Sequence, residues 1–192
     1  MALIKLNNQS LTNVSALPAG VGGKVLQVQT NPITAFGKTD LTTSYIDITG
    51  TEHSFTRTVS NSKILVSWNL KLTTFQNTYI KMNRKIGTGS YAVVNAGATG
   101  TDGGRTSQGG VLGSFYNTTS FNAMGYGIHA YQFTFLDESG EGLTDTTDAI
   151  TYKITAAGAD SDSDFFLNIS GYNSGNYNYT TESSVTFMEI AG

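Results

Sequence analysis

Apolar and polar residues alternate with a period of two through much of the chain between residues 24 and 190. The clearest run is Lys63-Ile-Leu-Val-Ser-Trp-Asn-Leu-Lys-Leu72. Ile64, Val66, Trp68, Leu70 and Leu72 point one way; Lys63, Ser67, Asn69 and Lys71 point the other. That spacing predicts a strand with one buried and one wetted face. The same pattern predicts strands at 24–30, 44–49, 54–60, 77–84, 90–95, 126–136, 148–156, 164–170 and 184–190. Val, Ile, Thr, Tyr and Phe dominate these windows, as strands favour, and no window carries the period of an amphipathic helix. Turn-forming residues fill the gaps at 137–142 and 157–164, and 95–110 has so little to bury that it reads as a long loop. About nine or ten strands joined this way predict an all-β chain, an antiparallel β-sandwich with jelly-roll-like topology. Two concatenated immunoglobulin-like modules fit less well, because no linker separates two halves.

Residues 1–22 break the pattern. Leu3, Ile4, Leu6, Leu11, Val14 and Leu17 are spread along a segment with no turn chemistry of its own. We read 1–22 as an extended N-terminal arm for attachment or subunit contact, and 23–192 as a single β-sandwich domain. Such an arm cannot bury its apolar side chains by itself and gains by packing on a neighbour. Ser183–Gly192 reads as a final strand whose apolar residues need a sheet to pair with.

Composition narrows the function. Charged residues make up 13% of the 192-residue chain, against about 25% in an ordinary soluble domain. Thr, Ser, Asn and Gly must therefore cover the surface, as in β-rich extracellular or virion proteins. A net charge of −3 gives no electrostatic footprint for nucleic acid. No apolar run approaches a membrane span, so neither nucleic acid nor membrane insertion is expected. Lys5 and Asn7 interrupt the first apolar positions, so 1–20 does not read as a signal peptide. The absence of cysteine excludes disulfides and thiolate metal sites.

Candidate chemistry is sparse. His53 and His129 are far apart and read as strand histidines. Neither a nucleophile elbow nor a phosphate-binding loop occurs. Gly87-Thr-Gly-Ser90 follows a basic run but lacks the helix that would hold an anion, so it predicts a hairpin turn. Asp160, Asp162 and Asp164 could begin a calcium loop, but Phe165 and Gly171 stand where an EF-hand needs Gly and Glu; a solvated acidic turn or an irregular calcium site remain as readings. Asp137, Glu138 and Glu141 read as turn residues, not as the paired carboxylates of a glycosidase. No catalytic residue, resident metal or cofactor is expected. The best ligand-contact candidates are Tyr172, Asn173, Tyr177 and Tyr179: Tyr rings stack on sugar faces, and Tyr and Asn together make adaptable contact surfaces. They serve equally as residues flanking and packing on a hairpin.

Several segments carry a resemblance. Met-Ala-Leu-x-Lys-Leu-Asn-Asn-x-Ser-Leu at the start, Ala16-Leu-Pro-Ala19, Gly23-Lys-Val-Leu-Gln-Val28, Ser62-Lys-Ile-Leu-Val66 and Met188-Glu-Ile190 together resemble small virion structural, fibre-like proteins of marine tailed bacteriophages of the cyanophage type. Much of 85–180 matches nothing specific. The resemblance implies a virion location and a homotrimer of jelly rolls bound to other virion proteins of tail or capsid. The function it implies is a fibre- or spike-like appendage subunit that attaches by its arm and presents loops to the host surface, with a host glycan as a candidate ligand. The alternative is a capsid decoration protein that stabilises the head shell.

Overall fold

A computed structural model describes residues 24–75, 78–94, 127–159, 163–170 and 180–192, with the backbone alone for Phe75, 101–102, 105–106 and 111–115. The strands among them are β1 (Val25–Ile33), β2 (Gly37–Asp40), β3 (Ile46–Asp47), β4 (His53–Phe55), β5 (Lys63–Phe75), β6 (Thr78–Ile86), β7 (Ala92–Val93), β8 (Thr101–Asp102), β9 (Arg105–Thr106), β10 (Val111–Phe115), β11 (His129–Asp137), β12 (Ile150–Gly158), β13 (Asp164–Leu167) and β14 (Ser183–Ile190). A 3-10 turn at Ser139–Glu141 is the only helical element among the described residues.

Several strands lie end to end and act as one. On one edge of β5, β14 pairs with Lys63–Asn69 and β13 with Leu72–Phe75. Beyond them β1 pairs with β14 and β2 with β13, and β11 takes the other edge of β5. In the second sheet β12 and β6 are central. β3 and β4 share the outer edge of β12, and β7 and β10 share that of β6. Each end-to-end pair counts as one line, giving eight lines in chain order. The first sheet then reads 1-8-3-6 and the second 2-7-4-5. That is the strand order of a jelly roll, so the all-β sandwich is antiparallel throughout and the jelly-roll expectation holds.

The core fills the space between the sheets. Ile64, Val66, Trp68, Leu70 and Leu72 of β5 are all buried, as their alternation predicts. They meet Ile80 and Met82 of β6 and Ile150, Tyr152 and Ile154 of β12 in one cluster. Phe187 sits between Phe55 and Tyr152, with ring centroids 5.4 and 5.3 Å away. Trp68 is 1% exposed, and its indole N–H donates to the Met82 sulfur at 3.2 Å, so its one polar group is satisfied where water is absent.

The structure departs from the predicted strands for local reasons. β3 covers only Ile46–Asp47 of the predicted 44–49, because the chain turns at Ile48–Thr51. Gly50 there has φ 83, and an added Cβ would lie 2.3 Å from the Ala35 Cβ, so a side chain is excluded twice over. β4 stops at Phe55, short of residue 60, because 56–62 turns inward to meet a buried carboxylate described below. β2 has almost no apolar residue to announce it and forms by pairing with β13. β10 is interrupted by Gly113. Within the predicted loop 95–110, β8 and β9 pair around Gly103-Gly104, a sequence suited to a two-residue hairpin turn.

Asn168 joins the broken lines. It is fully buried, and its φ is 55, a conformation Asn tolerates better than most residues. Its side-chain N–H groups donate to the carbonyls of Ile33 at 2.6 Å and Ala35 at 2.8 Å, where β1 gives way to β2. Its side-chain oxygen accepts from the Ser183 hydroxyl at 2.6 Å, and that hydroxyl accepts from the Lys71 N–H at 2.8 Å. The Asn168 N–H donates to the Lys71 carbonyl at 2.8 Å. One side chain thus satisfies backbone groups left open where two neighbouring lines break. Asn168→Ala should lower unfolding free energy by about 2–4 kcal/mol, with Asn168→Gly about 1 kcal/mol milder because glycine relieves the backbone conformation. Urea unfolding of both variants checks this, and a wild-type midpoint for Asn168→Ala would show that the joint holds nothing.

Candidate functional site

Two segments singled out by their sequence, the arm and the Tyr/Asn stretch, lie outside the described residues. Leu3, Ile4, Leu6, Leu11, Val14 and Leu17 belong to the first, and Tyr172, Asn173, Tyr177 and Tyr179 to the second. The structure describes where each segment joins the body.

The arm joins at the start of β1. The Ala191 N–H donates to the Lys24 carbonyl at 2.9 Å, so the chain's last residues fasten the arm's root. Three residues on, the Gln27 side-chain N–H groups donate to Glu189 at 2.7 Å and to the Thr56 carbonyl at 2.7 Å. Glu189 is fully buried. It accepts from the backbone N–H of Thr58 and Val59 at 2.9–3.0 Å, from the Thr58 hydroxyl at 2.9 Å and from the Ser62 hydroxyl at 2.6 Å. Burial pushes the Glu189 carboxyl up, but donation from Ser62, Thr58, Val59 and Gln27 outweighs it and holds the group at about 2. An ionised carboxylate therefore ties β14, β1 and the 56–62 turn together.

Beside this root the outer face of the first sheet carries an apolar row. Val28, Met188, Leu65 and Leu136 are directly opposite one another on four successive lines. Their neighbours Phe187 and Val66 point into the core, so the row faces outward. Val28 is 54% exposed, and the other three are half-buried. The next row is polar: Thr30 and Thr186 share a hydrogen bond of 3.0 Å, and Ser67 and Thr134 one of 3.2 Å.

The Tyr/Asn stretch leaves from the Asn168 joint. The Thr181 N–H donates to the Asn168 carbonyl at 3.0 Å, and Ile169 bridges Thr180. Its two ends are therefore clamped at one point in the middle of a sheet line, not at an end of the sandwich.

Other candidates resolve into structure. Asp137 is not a turn residue: it ends β11 on the inward side and is fully buried. It pairs with Arg84 and accepts from the Tyr152 hydroxyl at 2.7 Å. Burial, and then the charge of Asp137, push the Tyr152 phenol well above its ordinary value. Glu138 pairs with Lys63 at 2.6 Å, and Glu141 lies exposed in the 3-10 turn. Asp160 and Asp162 lie outside the described residues, whereas Asp164 begins β13 with its carboxylate 3.1 Å from the Lys38 amine. Among the described residues no group of three or more His, Cys, Asp or Glu could hold a metal ion. None of the helices among them is long and apolar enough to cross a membrane. His129 is half-buried in β11, and burial pulls His53 of β4 below its ordinary value. The 87–90 turn connects β6 to β7 as the predicted hairpin.

Sequence reasoning missed Asn168, Glu189, Asp137 and Arg84. Parity carries a signal for three of them: Glu189 shares the inward phase of Val185 and Phe187, Asp137 that of Phe133 and Phe135, and Arg84 that of Ile80 and Met82.

No protein-family model and no curated protein matches the chain. Among solved structures it is similar to infectious bursal disease virus, Gx strain, at 11% identity and TM-score 0.38, covering 87% of this chain and 43% of that one. It is likewise similar to the VP2 subviral particle of that virus, at 12% identity and TM-score 0.40, covering 86% and 41%. The T13 particle of the same virus gives 12% identity, TM-score 0.41 and coverage of 86% and 37%. The chain spans less than half the length of these proteins, and the fold assignment rests on its own strand order.

The folded-state value of Glu189 lies below its ordinary 4.5, so its stabilisation is complete above about pH 4.5 and is lost as pH falls towards 2. Urea midpoints of the wild type should fall across that window, while those of Glu189→Gln fall less. At pH 7 Glu189→Gln should be about 2–3 kcal/mol less stable. Parallel pH profiles for the two proteins would show that the carboxylate is not ionised in this setting.

Proposed function

We propose that this chain is a structural subunit of a virus particle: a homotrimeric, fibre- or spike-like appendage subunit of a bacteriophage. It attaches to other virion proteins through residues 1–22 and presents the Tyr/Asn stretch to the host surface. The observation that carries this reading is the outward-facing row of Val28, Met188, Leu65 and Leu136 beside the arm's root. A sheet face turned to water ordinarily alternates to polar residues, as the adjoining Thr/Ser row does. An apolar row there marks a surface that another chain covers. The arm supplies apolar residues but no scaffold to bury them on. Four of them buried on a neighbour would contribute roughly 6–12 kcal/mol before the cost of ordering the segment. A closed symmetric assembly uses the same contact in every copy.

The jelly-roll order supports the reading as architecture only, since viral capsid proteins and lectins both use it. The resemblance of both chain ends and the 62–66 strand to phage virion proteins supports the particle. The buried carboxylates described above are engaged in holding strands and loops, which supports a structural over an enzymatic role.

In solution the chain should scatter light as three times 20.4 kDa, about 61 kDa. Deleting residues 1–22, or replacing the exposed Val28 with Lys, should reduce that mass to one chain without lowering the melting temperature of the body. A trimer that survives both changes would overturn the arm-and-row contact. On particles, subunit loss that abolishes adsorption fits an appendage; subunit loss that weakens shells to heat while adsorption stays normal would make the protein a capsid decoration instead.

A further inference from the structure

The short connection between β1 and β2 displays an aromatic ring for which the core has no use. Phe36 is 65% exposed, the most exposed large apolar side chain among the described residues. Its backbone is not loose. The Asn168 amide holds the carbonyls of Ile33 and Ala35 from one side. On the other side Gly50 approaches Ala35 so closely that no side chain fits between them. The ring is therefore held out on a clamped turn, and a ligand would meet it already ordered.

Phe36 borders a recess of about 220 Å³. Ile48 and Leu167 form its apolar floor, and Lys38, Thr39 and Thr49 add polar groups to the wall. The Lys38 amine is bound to Asp40 at 2.6 Å and to Asp164 at 3.1 Å. The Asp40 side chain is 81% exposed, so its oxygens remain open to further donors. An aromatic face and the Thr39 and Thr49 hydroxyls around a one-ring space match the chemistry of a sugar, with the carboxylate–amine network on the outer face of β2. Its C–H face packs on the ring, and its hydroxyls both donate and accept. A protein anchor would need a wider apolar surround than this recess gives. The one charged residue in the lining, Lys38, has its amine bound to two carboxylates, which leaves no free cation for an acidic sugar.

We propose that the Phe36 recess is a saccharide subsite that takes one neutral pyranose ring at the end of a surface glycan. The proposal extends the host-contact part of the function above and rests on it for its purpose. It places a fixed subsite at the wall from which the Tyr/Asn stretch departs, because Asn168 holds the first by its side chain and the second by its backbone carbonyl.

The full-length protein would be screened against immobilised oligosaccharides ending in glucose, galactose, N-acetylglucosamine or glucuronate. Retained sugars would then be titrated by calorimetry and by saturation-transfer NMR. A neutral sugar should bind, and Phe36→Ala should weaken it about tenfold while Phe36→Tyr stays near wild type. Thr49→Trp, which fills the recess and keeps Phe36, should also weaken it. All three variants should melt with the wild type, since both positions are exposed. Equal sugar affinity in Phe36→Ala and wild type would overturn the subsite while leaving host binding elsewhere on the protein intact. Retention of glucuronate alone, or of no sugar at all, would overturn it too. So would a Phe36→Ala protein that binds sugar normally but loses its trimer mass, which would make the ring a subunit contact. The arm deletion tests the assembly reading separately, because it leaves the recess untouched.

Discussion

The first sheet depends on how a long strand line can break without exposing its backbone. Lines made of β1 with β2 and of β13 with β14 both break at the same level, side by side. Each break frees carbonyl and N–H groups in the middle of a sandwich, where an unpaired group costs about 1–3 kcal/mol. Asn168 meets the requirement because an amide has both a donor end and an acceptor end. The donors serve Ile33 and Ala35, and the acceptor takes the Ser183 hydroxyl. A carboxylate could not donate to the carbonyls, and an apolar side chain could do neither. With the joint in place, β5 runs unbroken past two shorter partners and keeps one continuous core face.

A second polar group does similar work at the opposite end of β14. Glu189 collects N–H and O–H donors from the 56–62 turn and from Gln27, so the final strand and the first strand are held to the same point. Asp137, Arg84 and Tyr152 form a further buried group between the sheets. A chain with few charges and no cysteine thus places some of its carboxylates inside, where Glu189 holds backbone of the 56–62 turn and Asp137 joins side chains of β6 and β12.

How much of this could be read from the sequence follows from the range of the interactions. The inward phase of β5, β12 and β14 is visible in the alternation, because side-chain direction is a local property of an extended chain. The same parity holds for Glu189, Asp137 and Arg84, although Asp137 reads as a turn residue and the other two drew no notice. Their partners were hidden, since Thr58, Val59 and Gln27 are far from residue 189 in sequence. The joint at Asn168 was invisible for the same reason: 164–170 reads as one strand, and only the approach of Ile33, Ala35 and Ser183 shows why it must stop at Leu167. β2 and β10 went unread because Gly37-Lys-Thr-Asp40 has almost nothing apolar and Gly113 interrupts Val111–Phe115. Composition marked Tyr172, Asn173, Tyr177 and Tyr179 and the apolar residues of the arm, but composition does not carry geometry.

The clamped base of the Tyr/Asn stretch has a consequence for how this protein can change. Both ends of 169–180 meet at one fixed point, so the two ends leave the body at a set spacing. Loop-closure entropy grows slowly with length, by about 0.6 kcal/mol for each doubling. By that entropy alone, a change in the length of the stretch costs the fold little, so long as Asn168 and Ser183 stay. Residues 171–179 can thus vary in sequence while the outward row of Val28, Met188, Leu65 and Leu136, towards the other end of β14, stays as it is.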